Sequence, residues 1–415
     1  MRRVTILLLA IAFGMTVAGC EPDRRNSMLP EATQVPTDNV LPTEAVQEPA
    51  ERTEAVIDMA AVRQLVEEAC AGADGKPFSA ESMVALLGEA GYTAVDSANR
   101  IDMVNADRLL AFLDAQRKGT QDAAAVFQIA EKGDCILYVF RTRNGEVHVE
   151  RTYYPLRDGR LEEADSCGFD ASEFIRTDEG YLFTEGCWRS LENYLLTLSD
   201  EEEHIALRVT PLDAQYRELC EKYILPVSYG LNNLFLTSWN TDDWKALDFY
   251  DVFVKFYPEC HRNENTFPYV MDDKLTEGRE YAIPAAEFEE VVMRHLPICA
   301  EELRKLLRFD SESGCYRFRP RGFGEFDYAE IPYPEVVACE TDGDTLILTV
   351  NAVFPHADTA RLFTHKVTVR EDDGRILYLG NELVGDGEPD LWWHAERYSD
   401  DKWKEVYQGA EKESR

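Results

Sequence analysis

The side chains that could do chemistry here are seven histidines, ten cysteines and 78 carboxylates, and their spacing decides what each can do. His148, His204, His261, His295, His356, His365 and His394 stand apart from one another in the chain. None falls into the HExxH pattern that sets two imidazoles on one helix face for a metal. A lone strand histidine, such as His148 or His365, is expected as a surface or cross-strand residue. The chain has no GxSxG elbow for a nucleophilic serine and no P-loop or GxGxxG fingerprint for phosphate, and Gly322-Phe323-Gly324 is too short to substitute. No catalytic residue, metal or cofactor is implied. Two acidic clusters, Asp310-Ser311-Glu312-Ser313-Gly314 and Gly385-Asp386-Gly387-Glu388-Pro389-Asp390, lack the Asp-x-Asp-x-Asp-Gly start of a calcium loop and read as solvated turns. Glycoside hydrolysis needs one carboxylate pair at a defined separation. With 78 acidic residues and no motif, the sequence selects none.

Cys20 is the exception. Met1, Arg2 and Arg3 precede an apolar run from Val4 to Phe13, the layout of a secretory signal. The stretch from Val4 to Gly19 falls short of the ~20 apolar residues of a spanning helix. Val17-Ala18-Gly19-Cys20 then resembles the lipobox of bacterial lipoproteins, which implies cleavage of a signal peptide covering residues 1–19 and lipid on the Cys20 sulfur. Two or three acyl chains, at about 0.8 kcal/mol per buried methylene, make a long-lived anchor. The expected location is the extracytoplasmic face of a cell membrane.

Behind Cys20, the span 20–55 carries Pro22, Pro30, Pro36, Pro42 and Pro49 among Glu, Thr and Asn. It buries too little apolar surface to offset its ordering entropy and reads as a disordered tether. The formal net charge of −35 excludes nucleic acid, which binds through basic clusters, as a partner. The other cysteines, Cys70, Cys135, Cys167, Cys187, Cys220, Cys260, Cys299, Cys315 and Cys339, are odd in number and contain no CxxC. Cys167 with Cys187 and Cys315 with Cys339 could close small loops. The simpler expectation is buried free thiols.

Elements that would position these groups follow from apolar periodicity. Helices are expected over Ile57–Ala71, Ser79–Ala90 and Ala106–Lys118, with Ser79 and Asn105 as caps and Gly91 and Gly119 as stops. Strands follow over Ala123–Ile129, Cys135–Arg141, Val147–Tyr154 and Tyr181–Thr184, with Asn144-Gly145 as a hairpin turn. The run Asp200-Glu201-Glu202-Glu203-His204 breaks the pattern. A second series of helices, Asp213–Tyr223, Asp242–Tyr257, Ala285–Leu296 behind an N1 Pro284, and Ala300–Leu307, leads to strands around Tyr316–Arg319, Thr345–Phe354, Leu362–Arg370 and Ile376–Leu379. The expected fold is α+β in two domains, 56–205 and 206–396, each with helices first and an antiparallel meander after them, followed by a polar tail, 397–415.

Aromatic residues crowd two places. Trp244, Phe249, Phe253 and Phe256 recur at helical spacing and are expected in the core. Phe323, Phe326, Tyr328 and Tyr333 crowd a loop and could form a stacking platform for a sugar or a groove for a peptide. Trp392-Trp393-His394 could cover a core edge or mark a contact site.

One wider resemblance exists. Ile283-Pro284-Ala285-Ala286-Glu287-Phe288-Glu289-Glu290-Val291-Val292, the Leu346–Val353 strand and Asp373-Gly374-Arg375-Ile376-Leu377-Tyr378-Leu379 resemble uncharacterised lipoproteins of anaerobic Gram-positive bacteria. That resemblance implies location and architecture, and no catalytic residue. The functional expectation is a non-enzymatic lipoprotein that binds a ligand or partner, with an envelope glycan or protein as candidates. The alternative is an envelope glycan or peptide hydrolase working through carboxylates that the sequence does not name.

Overall fold

Three helices open the described body, and each buries one stripe of its surface. Val62 and Val66 do this on α1 (Met59–Gly72), Met83, Val84 and Leu87 on α2 (Ala80–Glu89), and Leu109, Phe112 and Leu113 on α3 (Asp107–Arg117), which follows the short strand β1 (Ala94–Asp96). The structure is a computed structural model that describes residues 57–72, 78–143, 145–260, 270–272, 280–319, 331–385, 389, 391–399, 401–403 and 405. Ser79 caps α2 as expected, its Oγ accepting from the Ser82 amide at 3.2 Å. Asn105 does not cap α3. The N-cap is Ala106, and Asn105, at φ 52°, donates instead to the Gly88 and Tyr92 carbonyls at 2.8 and 2.9 Å, satisfying acceptors around the end of α2.

The first sheet contains β2 (Ala123–Ile129), β3 (Cys135–Arg143), β4 (Glu146–Tyr154) and, beyond the small hairpin of β5 (Leu156–Arg157) and β6 (Arg160–Leu161), β7 (Asp165–Asp170). Its order is β1-β2-β3-β4-β7, antiparallel apart from the parallel β1–β2 pair. Both faces are covered. Phe127, Ile129, Leu137 and Val139 pack on α1 and α2, while Val126, Tyr138, Phe140 and Val149 pack on α3 and on the next sheet.

That next sheet is β10-β9-β8, formed by β8 (Glu173–Arg176), β9 (Tyr181–Trp188) and β10 (Glu201–Arg208), with helix α4 (Leu191–Thr197) at the tip of the β9–β10 hairpin. The Asp200–His204 charge run therefore does not break the structure. From Glu201 it lies in β10, paired in register from Glu201 opposite Trp188 to Arg208 opposite Tyr181. Cross-strand partners make this possible: Arg151 Nε lies 2.9 Å from Glu203 and His204 bonds Glu185, while Glu202 points to solvent.

The second half begins with α5 (Ala214–Leu219), which continues into a π turn, Cys220–Ile224. Next come β11 (Trp239–Asn240), α6 (Phe249–Cys260), β12 (Val270–Asp272), β13 (Glu280–Pro284), α7 (Ala285–His295), α8 (Ala300–Leu306), β14 (Phe309–Asp310) and β15 (Cys315–Phe318). The main sheet closes the fold with β16 (Tyr333–Asp342), β17 (Thr345–Val353), β18 (Thr364–Asp372) and β19 (Arg375–Val384), in the order β11-β19-β18-β17-β16. A smaller sheet runs β12-β13-β15-β14. Asp248 explains why α6 starts later than the apolar spacing suggested: its Oδ1 accepts from the Tyr250 and Asp251 amides at 2.9 and 3.3 Å, an N-cap at the head of the helix. Pro284 ends β13 and occupies the N-cap of α7 rather than N1. Trp244, Phe249, Phe253 and Phe256 are buried, as their spacing indicated.

The fold is thus α+β. Its halves meet through the β10-β9-β8 sheet, which is apolar on both faces. Leu182, Ile205 and Leu207 face the first half, while Tyr181, Phe183 and Ala206 pack on Val353 and Ala360 of the second. Beyond residue 396, Arg397 and Trp403 pack into the body rather than trail from it.

Candidate functional site

A concave feature lies in the second half, where the loop before β11, the turn before α6 and the end of β19 meet the C-terminal segment. These line an open cavity of about 740 Å³, the size of an ordinary small-ligand site. One wall is fixed by Arg397. Its guanidinium lies 2.9 Å from Asp248 Oδ2 and 2.8 Å from Asp251 Oδ1, and donates to the Arg319 carbonyl at 2.6 Å. Asn233 braces the same turn, accepting from the Asp248 amide at 3.0 Å and donating to the Ala246 carbonyl at 2.9 Å. Ser238 Oγ accepts from the Leu383 amide at 3.0 Å, which leaves its own proton to donate. Leu236, Leu247, Leu383 and Leu391 supply the apolar surface. Lys245 and Glu396, both exposed, bring an ammonium and a carboxylate to the same cavity. Such a lining suits a ligand with an apolar side and several hydrogen-bonding groups.

A second chemical cluster sits at one end of the seam between the halves. His204 Nδ1 lies 2.6 Å from Glu185 Oε1. The His204 ring lies against the His356 ring of the second half, tilted by 44° at 4.4 Å between centroids. Asp358 faces Glu185, and burial first, then the charge of Glu185, push its carboxyl up to about 6. At the other end of the seam, Tyr181 donates to Glu335 Oε1 at 3.0 Å, and Arg208 Nε lies 3.3 Å from the same oxygen. Burial raises the Glu335 carboxyl against the opposing pull of Arg208. Tyr333, one of the four aromatics expected in a stacking loop, is here. Its hydroxyl donates to Tyr181 Oη at 3.3 Å and accepts from Asn99 at 3.3 Å. Phe323, Phe326 and Tyr328 lie outside the described residues, as do Cys20 and His261.

The remaining groups have structural settings. His148 bonds Asp170 at 2.7 Å across a strand pair, as expected. His365 is fully buried, unlike a surface histidine. His295 stacks on Phe256 at 3.8 Å, and burial lowers its imidazole to about 4. Asp310 accepts from the Glu312 amide at 3.0 Å, from Ser313 Oγ at 2.7 Å and from Arg317 at 2.6 Å, which closes its cluster as a turn. Asp386, Gly387, Glu388 and Asp390 of the other cluster lie outside the described residues. Cys70, Cys135, Cys167, Cys187, Cys220, Cys299, Cys315 and Cys339 are free thiols, so neither small-loop pairing forms. Only Cys135 and Cys220 of these are buried, and burial pushes their thiols to about 12 and about 11. Trp393 is buried, while Trp392 is 46% exposed.

Helix α4 falls outside every helix expected from apolar periodicity. Leu191, Leu195, Leu196 and Leu198 are 69, 69, 79 and 76% exposed at the hairpin tip. The available signal was four leucines in eight residues directly before a charge run, which neither core packing nor a soluble turn requires.

These features define an α+β protein with a ligand-sized cavity and an exposed apolar tip. The chain belongs to a family of unknown function (DUF6070), whose model matches residues 47–397. No curated protein and no solved structure matches it. No described helix is long and apolar enough to cross a membrane.

Proposed function

We propose that this chain is a lipid-anchored extracytoplasmic binding protein. Lipid on Cys20 holds it to the cell membrane, residues 20–55 tether the body, and the second-half cavity takes a small polar ligand such as an envelope sugar or short peptide. The cavity carries the binding part of this reading. Its walls are braced before any ligand arrives, by Arg397 to Asp248 and by Asn233 to Ala246, which lowers the ordering cost of binding. Lys245, Glu396 and the Ser238 hydroxyl are left to meet a ligand. The apolar run before Val17-Ala18-Gly19-Cys20 supports the anchoring part.

Two measurements test it. A Cys20→Ala chain is expected to lose lipid labelling and leave the membrane fraction, and retention in the membrane would overturn the anchor. Titration of the mature chain with N-acetylglucosamine trisaccharide and with trialanine, followed by NMR, is expected to shift cavity resonances. Ala246→Trp, which fills the cavity mouth from an exposed position, should abolish the shifts. The hydrolase reading draws on one observation, the raised Asp358 carboxyl facing Glu185 beside His204, since a carboxyl held protonated by its surroundings is what acid catalysis uses. Turnover of either probe that Asp358→Asn abolishes would favour it.

A further inference from the structure

Among the described residues, the leucine tip of α4 is the most exposed apolar feature, on a chain with net charge −35. We infer that this tip is a docking element for a protein partner that offers an apolar groove edged by lysine or arginine. Packing does not account for it, because no residue of α4 is buried. Local geometry argues against leucine as well. Leu198 is the C-cap of α4 at φ 58°, in the left-handed region where glycine or asparagine would sit without strain. A bulky side chain that is both strained and exposed calls for a use outside the fold.

The tip is also held rigid. Ser190 accepts from the Asn193 amide at 3.4 Å to cap the helix. Arg189 bonds Asp200 at 2.6 and 3.0 Å across the base of the hairpin and lies 4.0 Å over the Tyr194 ring. Asn193 bonds Glu201 from the other side. The leucines are therefore presented on a pinned turn, which reduces the entropy lost on docking.

Charge selects the occupant. Around the leucines stand Glu192, Asp200, Glu201 and Glu202, with Arg189 already committed to Asp200. A second copy would bring the same acidic rim against this one, and an anionic membrane surface would repel it. A cationic rim around an apolar groove complements it, steering encounter by charge while the leucines fill the groove. Four leucines fall short of the roughly 800 Å² per partner of a standard interface, so the partner also covers part of the acidic flank.

The test uses the full mature chain and defined probes. An amphipathic leucine/lysine helix peptide should bind, and a leucine/glutamate peptide of the same pattern should not. Leu195→Ser/Leu196→Ser leaves the charge unchanged and should weaken the leucine/lysine peptide tenfold or more, with the melting temperature unmoved. Leu191→Ser/Leu198→Gly should do the same through different positions. Equal binding by both variants and the parent would show that charge alone holds the peptide and would overturn the proposal. So would a dimer in sedimentation that the serine variants dissolve, or leucine-dependent binding to phosphatidylcholine vesicles, since these name a second copy or a bilayer as the occupant. The cavity is in the other half of the chain, so Ala246→Trp should leave peptide binding intact.

Discussion

Asp358 faces Glu185 across the seam between the two halves, so a carboxyl group on a turn of one half sits in the field of a carboxyl group on a strand of the other. Its Oδ1 is buried without a partner, and its carboxyl is pushed up to about 6 by burial and by the charge of Glu185. A folded pKa above the unfolded value means that the protonated form is favoured by folding. The contribution is therefore complete below pH 4 and is lost as pH rises through about 6. Partial exposure trims it to on the order of 1 kcal/mol. Stability measured by urea unfolding should fall between pH 4 and 6.5 by about that much. Asp358→Asn, which tolerates the left-handed φ of 46°, should flatten the fall. An unchanged slope in that variant would assign the titration to another group.

His365 predicts the opposite slope. Its ring is fully buried on β18, with Nδ1 2.6 Å from Asn381 Oδ1 and Nε2 2.9 Å from the Tyr229 hydroxyl. Asn381 also donates to the Thr237 carbonyl at 2.8 Å, so its Oδ1 faces the histidine. Nδ1 then carries the proton and the tyrosine donates to Nε2, a neutral tautomer that completes every bond. Burial lowers the imidazole to about 4. Stability from this group is present above pH 6.5 and is lost as pH falls towards 4. His365→Leu should cost about 2–4 kcal/mol by leaving Tyr229 and Asn381 unpaired, and should remove part of the acid limb of the unfolding profile. A cost below about 0.5 kcal/mol would mean that the two partners find water instead.

How far the sequence revealed this structure depends on which force shaped each element. Ala123–Ile129 matches its strand at both ends, because apolar residues there fill two buried faces and glycine turns bound the meander. The strand β10 was hidden because Glu201, Glu202, Glu203 and His204 look like solvent-exposed loop, and only partners distant in sequence, Arg151 and Glu185, make a strand of them. Tyr333–Asp342 was missed for a related reason: Pro334, Glu335 and Glu340 spoil the alternation, and Glu335 is acceptable inside only opposite Arg208. The cavity was illegible as well. Its lining comes from separate stretches around Asn233, Lys245, Leu383 and Arg397, and none of these carries a motif.

Gly186 tests the packing between the first two sheets. It lies in the middle of β9, opposite Glu203, and a Cβ there would overlap the ring of Phe169 on β7. Phe169 is 4% exposed within a core shared with Leu182 and Leu207, so its ring has little room to retreat. Gly186→Ala should cost about 1–3 kcal/mol as overpacking, read as a lower denaturation midpoint with an unchanged denaturant slope. Gly186→Ala/Phe169→Leu should recover part of that loss. If the single variant is neutral, the two sheets are less tightly joined than this contact requires.

The other end of the seam concentrates charge where water is scarce. The Arg208 and Glu335 side chains are 4 and 7% exposed. Arg208 also donates to the Glu179 carbonyl at 2.9 Å, and its amide donates to Asn99 Oδ1 at 2.8 Å, while Tyr181 holds Glu335. Glu335→Gln keeps the shape and the tyrosine bond but leaves the guanidinium charge buried without its counterion. That should cost about 3–5 kcal/mol. Arg208→Met alone strands the carboxylate, which is already raised by burial and would then bind a proton well above the ordinary carboxylate range. The double variant Arg208→Met/Glu335→Gln removes both charges at once. It should lose clearly less stability than the sum of the single losses, and that difference is the coupling between the halves. Additive losses would show that the pair acts as two independent buried groups, and the seam would then draw its cohesion from other contacts, among them the packing of Phe183 and Ala206 on Val353 and Ala360.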